Sequence, residues 1–195
     1  MGNRQSKKQP SQPPSTRPNA PGEAVKLMKA IELSSEFRLA LRNIPVPTPQ
    51  RGEVLVRMRL TPINTIDLLS LRGIDRERHT YPFIPGYEGV GEVVSCGPKV
   101  SNRKKLLTNQ VALYSPNGGT WAEYCCVPEW CCFPLPRDIN PEQAASPFVD
   151  PMTAHTFLTY AQKQGHKSVV LTGAFTPLGK QILRLAPSFR IKACW

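Results

Sequence analysis

The segment SVVLTGAFTPLGKQILRLA sets glycines at 173 and 179 between an apolar, strand-like run and a helix-like run. Backbone N–H groups at the start of a helix lack intrahelical partners, so a glycine-bearing turn there can receive an anionic pyrophosphate. The strict G-x-G-x-x-G spacing is absent, with Ala174 and Pro177 between the two glycines, and an ordinary strand–helix turn is the alternative. A second set of reactive types is the six cysteines, Cys96, Cys125, Cys126, Cys131, Cys132 and Cys194. Their CC-x4-CC core lacks the C-x-x-C pairs that zinc favours. Neighbouring residues on a strand point to opposite faces, so these thiols are expected to be small buried residues. A third pattern is M-G-x-x-x-[ST] at the N-terminus, with Gly2 and Ser6 in register, which is the N-myristoylation pattern.

The elements that must position these groups are mostly short strands. Residues 28–33, 39–45 and 53–60 read as strands. In EVLVRMRL, Val54, Val56, Met58 and Leu60 alternate with Leu55, Arg57 and Arg59, which predicts one apolar and one mostly basic face. Residues 66–71 can form a short helix capped by Asn64 or Thr65. Further strands are expected at 89–94 and 110–114, and on either side of a turn at Pro128–Glu129. His79, in a loop with Arg72, Arg76 and Arg78, is expected to be exposed. Asn140 and Pro141 have the types that cap and open a helix. Many short strands divided by Gly and Pro turns predict a β-barrel-like domain with few helices. Residues 168–172 then predict a buried strand leading into a helix, and residues 189–193 a second strand.

Composition fits a globular body: 40% of residues are hydrophobic, with 21 Pro, 13 Gly and a net charge of +11. No apolar run is long enough for a transmembrane helix, and the first residues are polar and basic rather than an apolar leader, so disulfides are not expected. Residues 1–27 are rich in Pro, Ser, Gln and Lys and are expected to stay disordered. A single acyl chain on Gly2 binds membranes only marginally. Arg4, Lys7 and Lys8 would each add about 1 kcal/mol against an anionic leaflet. The remaining basic groups lie in separate loops without interleaved aromatics, so nucleic acid is not an expected partner.

Three stretches together carry a resemblance: VLVRMRLTPINTIDLLSLRG, PFIPGYEGVGEVVSCGPKV and GGTWAEYCCVPEWCCFPLP. In order, spacing and turn residues they resemble the GroES-like catalytic domain of the medium-chain dehydrogenase/reductase superfamily, over about residues 26–186. The resemblance implies a GroES-like β-barrel at 28–150 and the start (βαβ) of a Rossmann nucleotide-binding domain at 151–195, an α+β/β architecture. The TGAFTPLG segment is similar to the superfamily's T-G-A-x-x-x-x-G turn.

Where alcohol dehydrogenases of that superfamily place two ligands of a catalytic zinc, this sequence has Asn64 and Tyr87, and residues 99–109 contain no cysteine of a structural zinc lobe. The chain therefore resembles the zinc-free branch of quinone oxidoreductases and trans-2-enoyl-CoA reductases, whose Asn-x-x-Asp pattern is present as Asn64 and Asp67. No metal site is implied. Asn64 would orient the nicotinamide or a substrate oxygen, with a turn or helix cap as the alternative; for Asp67 the alternative is a salt bridge or cap. Tyr81 is the nearest counterpart of the tyrosine that helps protonate substrate in enoyl reductases, though the inserted IDRERHT loop displaces it. Thr153, in the Pro-Met-Thr-Ala segment that is expected to start a helix, would lie near the nicotinamide or act as a cap. Gly173, Ala174 and Gly179 would hold the cofactor.

The implied activity is NADPH-dependent, zinc-independent hydride transfer to a quinone, enone or enoyl thioester, with NADH still open. The expected location is cytoplasmic, with membrane association through the tail. The chain reads as cut short inside the Rossmann domain, with a longer form needed for full activity and a homodimer as its expected assembly. The alternative reading is a membrane-tethered, non-catalytic interaction protein that keeps only the GroES-like scaffold.

Overall fold

The computed structural model describes residues 25–74, 76–136 and 138–195. Gly2, Ser6 and the basic residues of the tail lie outside the described residues. Strand β1 (Leu27–Leu33) buries Met28, Ala30 and Leu33 and pairs antiparallel with β2 (Leu39–Pro45). Strands β3 (Glu53–Leu60), β4 (Glu88–Cys96), β5 (Gln110–Tyr114), β6 (Tyr124–Pro128) and β7 (Cys132–Pro134) form one antiparallel sheet in the order β6-β3-β4-β5-β7. Bridges from Ala30 to Ala122 and from Leu33 to Phe83 fasten the β1–β2 hairpin to the segments around the sheet.

The barrel core is Val54, Val56, Val93, Leu106, Val111, Leu113 and Val127 with Cys96, Cys125, Cys131 and Cys132. Those four cysteines are small buried residues, as expected, with adjacent Cys131 and Cys132 both buried because Cys131 lies in a 3-10 turn and not on the strand; Cys126 and Cys194 are half-buried, and all six are free thiols. Along β3 the expected two faces are partly merged. Leu55 is buried although it alternates with Val54 and Val56, whereas Leu60 at the strand end is exposed. Two register shifts between β3 and β4 rotate the strand along its length. Arg57 and Arg59 converge on one carboxylate, Glu92, at 2.6 and 2.8 Å.

Helix α1 (Thr65–Leu71) has Asn64 as its N-cap. Helix α2 (Arg103–Leu107) occupies the segment without zinc-lobe cysteines and is anchored by buried Leu106. The turn expected at Pro128–Glu129 is a 3-10 turn over Glu129–Cys131. Helix α3 (Pro141–Ala144) is capped by Asn140, whose side chain accepts from the Glu142 N–H at 2.8 Å. Helix α4 (Val149–Lys163) begins before Pro151. It packs with α5 (Pro177–Leu185) around Ala154, Leu158, Ala161, Leu171, Ala174, Ile182 and Ile191. Strands β8 (Ser168–Val170) and β9 (Lys192–Cys194) flank α5 and pair in parallel, giving the strand–helix–strand unit. No helix of the described residues is long and apolar enough to cross a membrane.

Candidate active site between β4 and helix α4

Gly86 starts the site. Its φ is +93°, a backbone region that suits glycine. A Cβ there would collide with Thr120 Oγ1 and the Trp121 ring. The chain can therefore turn tightly against the 120–121 segment and enter β4 with Tyr87 and Glu88 in place.

Glu88 has no exposed surface. Its Oε1 accepts from Asn64 Nδ2 at 2.8 Å and from Ser146 Oγ at 3.1 Å. Its Oε2 accepts from the backbone N–H groups of Phe148, at 2.8 Å, and Val149, at 3.1 Å. A buried carboxylate is stable only when hydrogen-bonded in this way, and a helix N-terminus is a favourable place for negative charge. Glu88 thus joins the barrel strand to the first turn of α4.

Beside it, Asp67 is also fully buried, and its Oδ2 accepts from the Asn64 N–H at 2.6 Å. Burial pushes the Asp67 carboxyl up to about 6; the negative charge of Glu88 adds to this, while hydrogen bonds from the Asn64 and Gly86 backbone oppose it. Asp150, in the first turn of α4, is also raised, by burial first and Glu88 second.

Tyr87 follows a different line. Its hydroxyl lies 2.9 Å from Ser70 Oγ and 3.1 Å from His79 Nε2. The His79 ring stacks on Phe83 with centroids 3.9 Å apart and planes at 24°. His79 is therefore half-buried, not the exposed loop residue its charged neighbours suggest: the segment folds back over the aromatic cluster of Leu33, Phe83 and Tyr87. A cavity of about 1080 Å³ opens here, lined by Ile66, Tyr87, His79, Tyr114, Phe133, Phe148, Met152 and Thr153 among others.

The predicted site residues fall into three groups. Asn64 caps α1 and commits its amide to Glu88, and only 8% of its surface is exposed. Tyr81 packs in the aromatic cluster, edge-on to Phe37 at 5.8 Å; neither it nor Asn64 lines the cavity. Thr153 does line it, and within α4 its hydroxyl donates to the Val149 carbonyl at 2.6 Å. Gly173, Ala174 and Gly179 form the turn between β8 and α5. There Thr176 caps α5, donating to the Gly173 carbonyl at 2.7 Å and accepting from the Gly179 N–H at 3.1 Å. A Cβ on Gly179 would collide with the Gly173 carbonyl oxygen, so this glycine lets the helix close on the turn. A Cβ on Gly173 would meet nothing nearer than Thr176 at 3.6 Å, so the space beside it is open. An open turn face at the start of a helix fits a pyrophosphate group.

At the two positions that the resemblance likens to zinc ligands, the side chains have other partners. Asn64 is tied to Glu88, and the Tyr87 hydroxyl to Ser70 and His79. Among the described residues no group of three or more His, Cys, Asp or Glu is arranged for a metal ion. Sequence reasoning missed Glu88 and Ser146. The available signal was an acidic residue opening the Gly- and Val-rich run EGVGEVV.

Residues 50–137 match the alcohol dehydrogenase GroES-like domain. The chain is 28% identical over 171 residues to a zinc-type alcohol dehydrogenase-like protein of Schizosaccharomyces pombe, covering 85% of this chain and 52% of the relative. It is 31% identical over 147 residues to the mitochondrial enoyl-[acyl-carrier-protein] reductase of Arabidopsis thaliana, covering 75% of this chain and 39% of the relative. Among solved structures, the quinone oxidoreductase of Thermus thermophilus, studied alone and in complex with NADPH, superposes with a TM-score of 0.70 at 31% identity, over 85% of this chain and 52% of that one. The chain spans about half the length of the relatives it matches. Residues 50–137 thus carry the alcohol dehydrogenase GroES-like domain, and with the start of a Rossmann-like sheet the chain is similar to medium-chain dehydrogenase/reductase proteins, among relatives named quinone oxidoreductase and enoyl reductase.

Proposed function

We propose that the protein serves NADPH-dependent, metal-independent reduction of an electron-poor alkene or quinone. The observation that carries this reading is the pair Asn64 and Tyr87, whose polar groups are held by hydrogen bonds to Glu88, Ser70 and His79 where a metal-dependent relative would need ligands. The bound nicotinamide would supply the hydride. The Gly173–Ala174 backbone would face the pyrophosphate, with Gly179 keeping the turn closed, and Thr153 would stand at the nicotinamide end. NADPH is preferred over NADH because the Thermus thermophilus quinone oxidoreductase was solved with it.

Hydride addition to a quinone or enone leaves an anionic oxygen or carbon that must take up a proton. A positioned hydroxyl is suited to that task. We assign it to Tyr87 in preference to Tyr81, because Tyr87 lines the cavity and its hydroxyl is already placed between Ser70 and His79. Asn64 would act through Glu88 as a positioning residue. The aromatic lining, with Tyr114, Phe133 and Phe148, suits a flat apolar substrate.

Titrating NADPH while following tryptophan fluorescence tests the cofactor arm. Adding a naphthoquinone or crotonyl-CoA and following loss of the reduced nicotinamide tests the reaction. Saturable binding followed by turnover that drops in Tyr87→Phe supports the reading. Absence of both binding and turnover, in this chain and in any longer form that contains it, overturns it.

A further inference from the structure

Four segments meet at one corner of the barrel. The Gly52 N–H donates to the Pro98 carbonyl at 2.8 Å, and the Gly97 N–H to the Glu53 carbonyl at 2.8 Å. The Glu129 N–H donates to the Gly52 carbonyl at 2.8 Å. The Glu129 carboxylate in turn accepts from the N–H groups of Ser101, at 2.8 Å, and Asn102, at 2.6 Å, just before α2. These bonds bring together the segments that carry Arg51, Lys99 and Arg103–Lys105, and all five side chains are exposed. Among the described residues the ion pairs use Arg38, Arg42, Arg57 and Arg59, and none uses these five.

The two carboxylates at the corner are engaged with backbone. Glu129 holds Ser101 and Asn102, which lowers its pKa, and Glu53 accepts from the Gln50 N–H at 2.8 Å. Lys99 sits at φ +63°, where glycine or asparagine would be less strained. Two large apolar side chains accompany the cations. Leu107, four residues after Arg103 on α2, is 41% exposed, and Trp130, next to Glu129, is 72% exposed where it also borders the cavity. Cations with exposed leucine and an amphipathic tryptophan are the composition of a surface that rests in the headgroup region of a bilayer.

We infer that this corner, Arg51, Lys99, Arg103–Lys105, Leu107 and Trp130, docks the folded body on an anionic lipid surface. The myristoylation pattern at Gly2 points to the same partner independently and would provide the second signal that stable attachment needs. A bilayer is favoured over nucleic acid because the cations flank an exposed leucine and no nucleic-acid-binding module is present among the described elements.

The test uses the full chain without acylation, sedimented with vesicles of phosphatidylcholine alone or phosphatidylcholine with phosphatidylserine. The expected result is binding to the anionic vesicles only, reversed by added salt. The triple variant Lys99→Glu, Lys104→Glu, Lys105→Glu should lower the partition coefficient by at least about tenfold. It alters only exposed side chains, and an unchanged circular dichroism spectrum and melting temperature verify its fold. A tail variant, Arg4→Gln, Lys7→Gln, Lys8→Gln, should lose less. Wild-type sedimentation by the triple variant, or complete loss in the tail variant alone, overturns the assignment. So does tighter binding to a mixed-sequence RNA than to the anionic vesicles at equal salt.

Discussion

The Asn64 side chain donates to Glu88 Oε1 at 2.8 Å, while Glu88 Oε2 holds the backbone of Phe148 and Val149. A loop residue after β3 and the start of α4 are thereby joined through one carboxylate on β4. The cap of α1, the barrel wall and the first turn of α4 share a single buried acceptor. The cavity bordered by Phe148, Val149 and Thr153 depends on that link for its shape.

Glu88→Ala would leave the donors of Asn64, Ser146, Phe148 and Val149 without their acceptor and destabilise the protein by about 3–4 kcal/mol. Glu88→Gln keeps one acceptor oxygen but turns an NH₂ toward donors, at about half that cost. Urea denaturation midpoints of the two variants, compared at constant m-value, check the order.

Asp67 predicts a pH dependence of stability. Its folded value of about 6 lies above the ordinary 3.8, so the folded state binds more protons than the unfolded state between those values. The contribution is unfavourable above about pH 6 and is relieved as pH falls toward the ordinary carboxyl value. Asp150, also raised, acts with the same sign. Asp67→Asn should keep an acceptor for the Asn64 N–H and flatten the part of the stability profile between about pH 4 and 6 that belongs to Asp67. Denaturation midpoints across that range, parent against variant, measure the difference. An unchanged slope would show that Asp67 titrates normally.

The two turn glycines should behave differently. Gly179→Ala drives a methyl against the Gly173 carbonyl and costs about 1–3 kcal/mol. Gly173→Ala meets open space and should change stability by less than about 0.5 kcal/mol. If the open face receives a pyrophosphate, Gly173→Ala weakens NADPH binding without lowering the melting temperature. Thermal melts paired with fluorescence titrations separate the two effects.

The thiols should be slow. Burial pushes Cys125 up to about 12 and Cys131 up to about 11, and raises Cys96, Cys126 and Cys132 as well. Since the thiolate is the reactive form, a disulfide reagent at mildly alkaline pH should label half-buried Cys194 first in the native protein. Cys96, Cys125, Cys131 and Cys132 should react only after denaturant is added; rapid native labelling of those four would contradict the burial.

Much of the architecture is local enough to read along the chain. Strand β3 and helix α1 follow from alternation and from an Asn cap, and α3 from Asn140 and Pro141, because each signal acts over a few residues. The helix at residues 103–107 was not legible, since RKKLL forms it only with Leu106 buried against the barrel and Glu129 bound to Ser101 and Asn102. The site divides in the same way. Asn64 and Thr153 could be singled out by residue type and motif, yet only Thr153 lines the cavity, and His79 reads as a charged-loop residue until Phe83 and Tyr87 are brought beside it.

The sequence by itself determined most element types, the superfamily likeness and the presence of Asn64 and Tyr87 at the positions likened to zinc ligands, because these depend on residue identity and short spacing. Only the tertiary structure decided that Glu88 would bind Ser146, Phe148 and Val149, residues 58 to 61 positions away. It also decided that Tyr87, not Tyr81, would line the cavity. A buried carboxylate binds whichever donors strand pairing and helix packing bring within hydrogen-bond reach, and that proximity is not encoded at any one position along the chain.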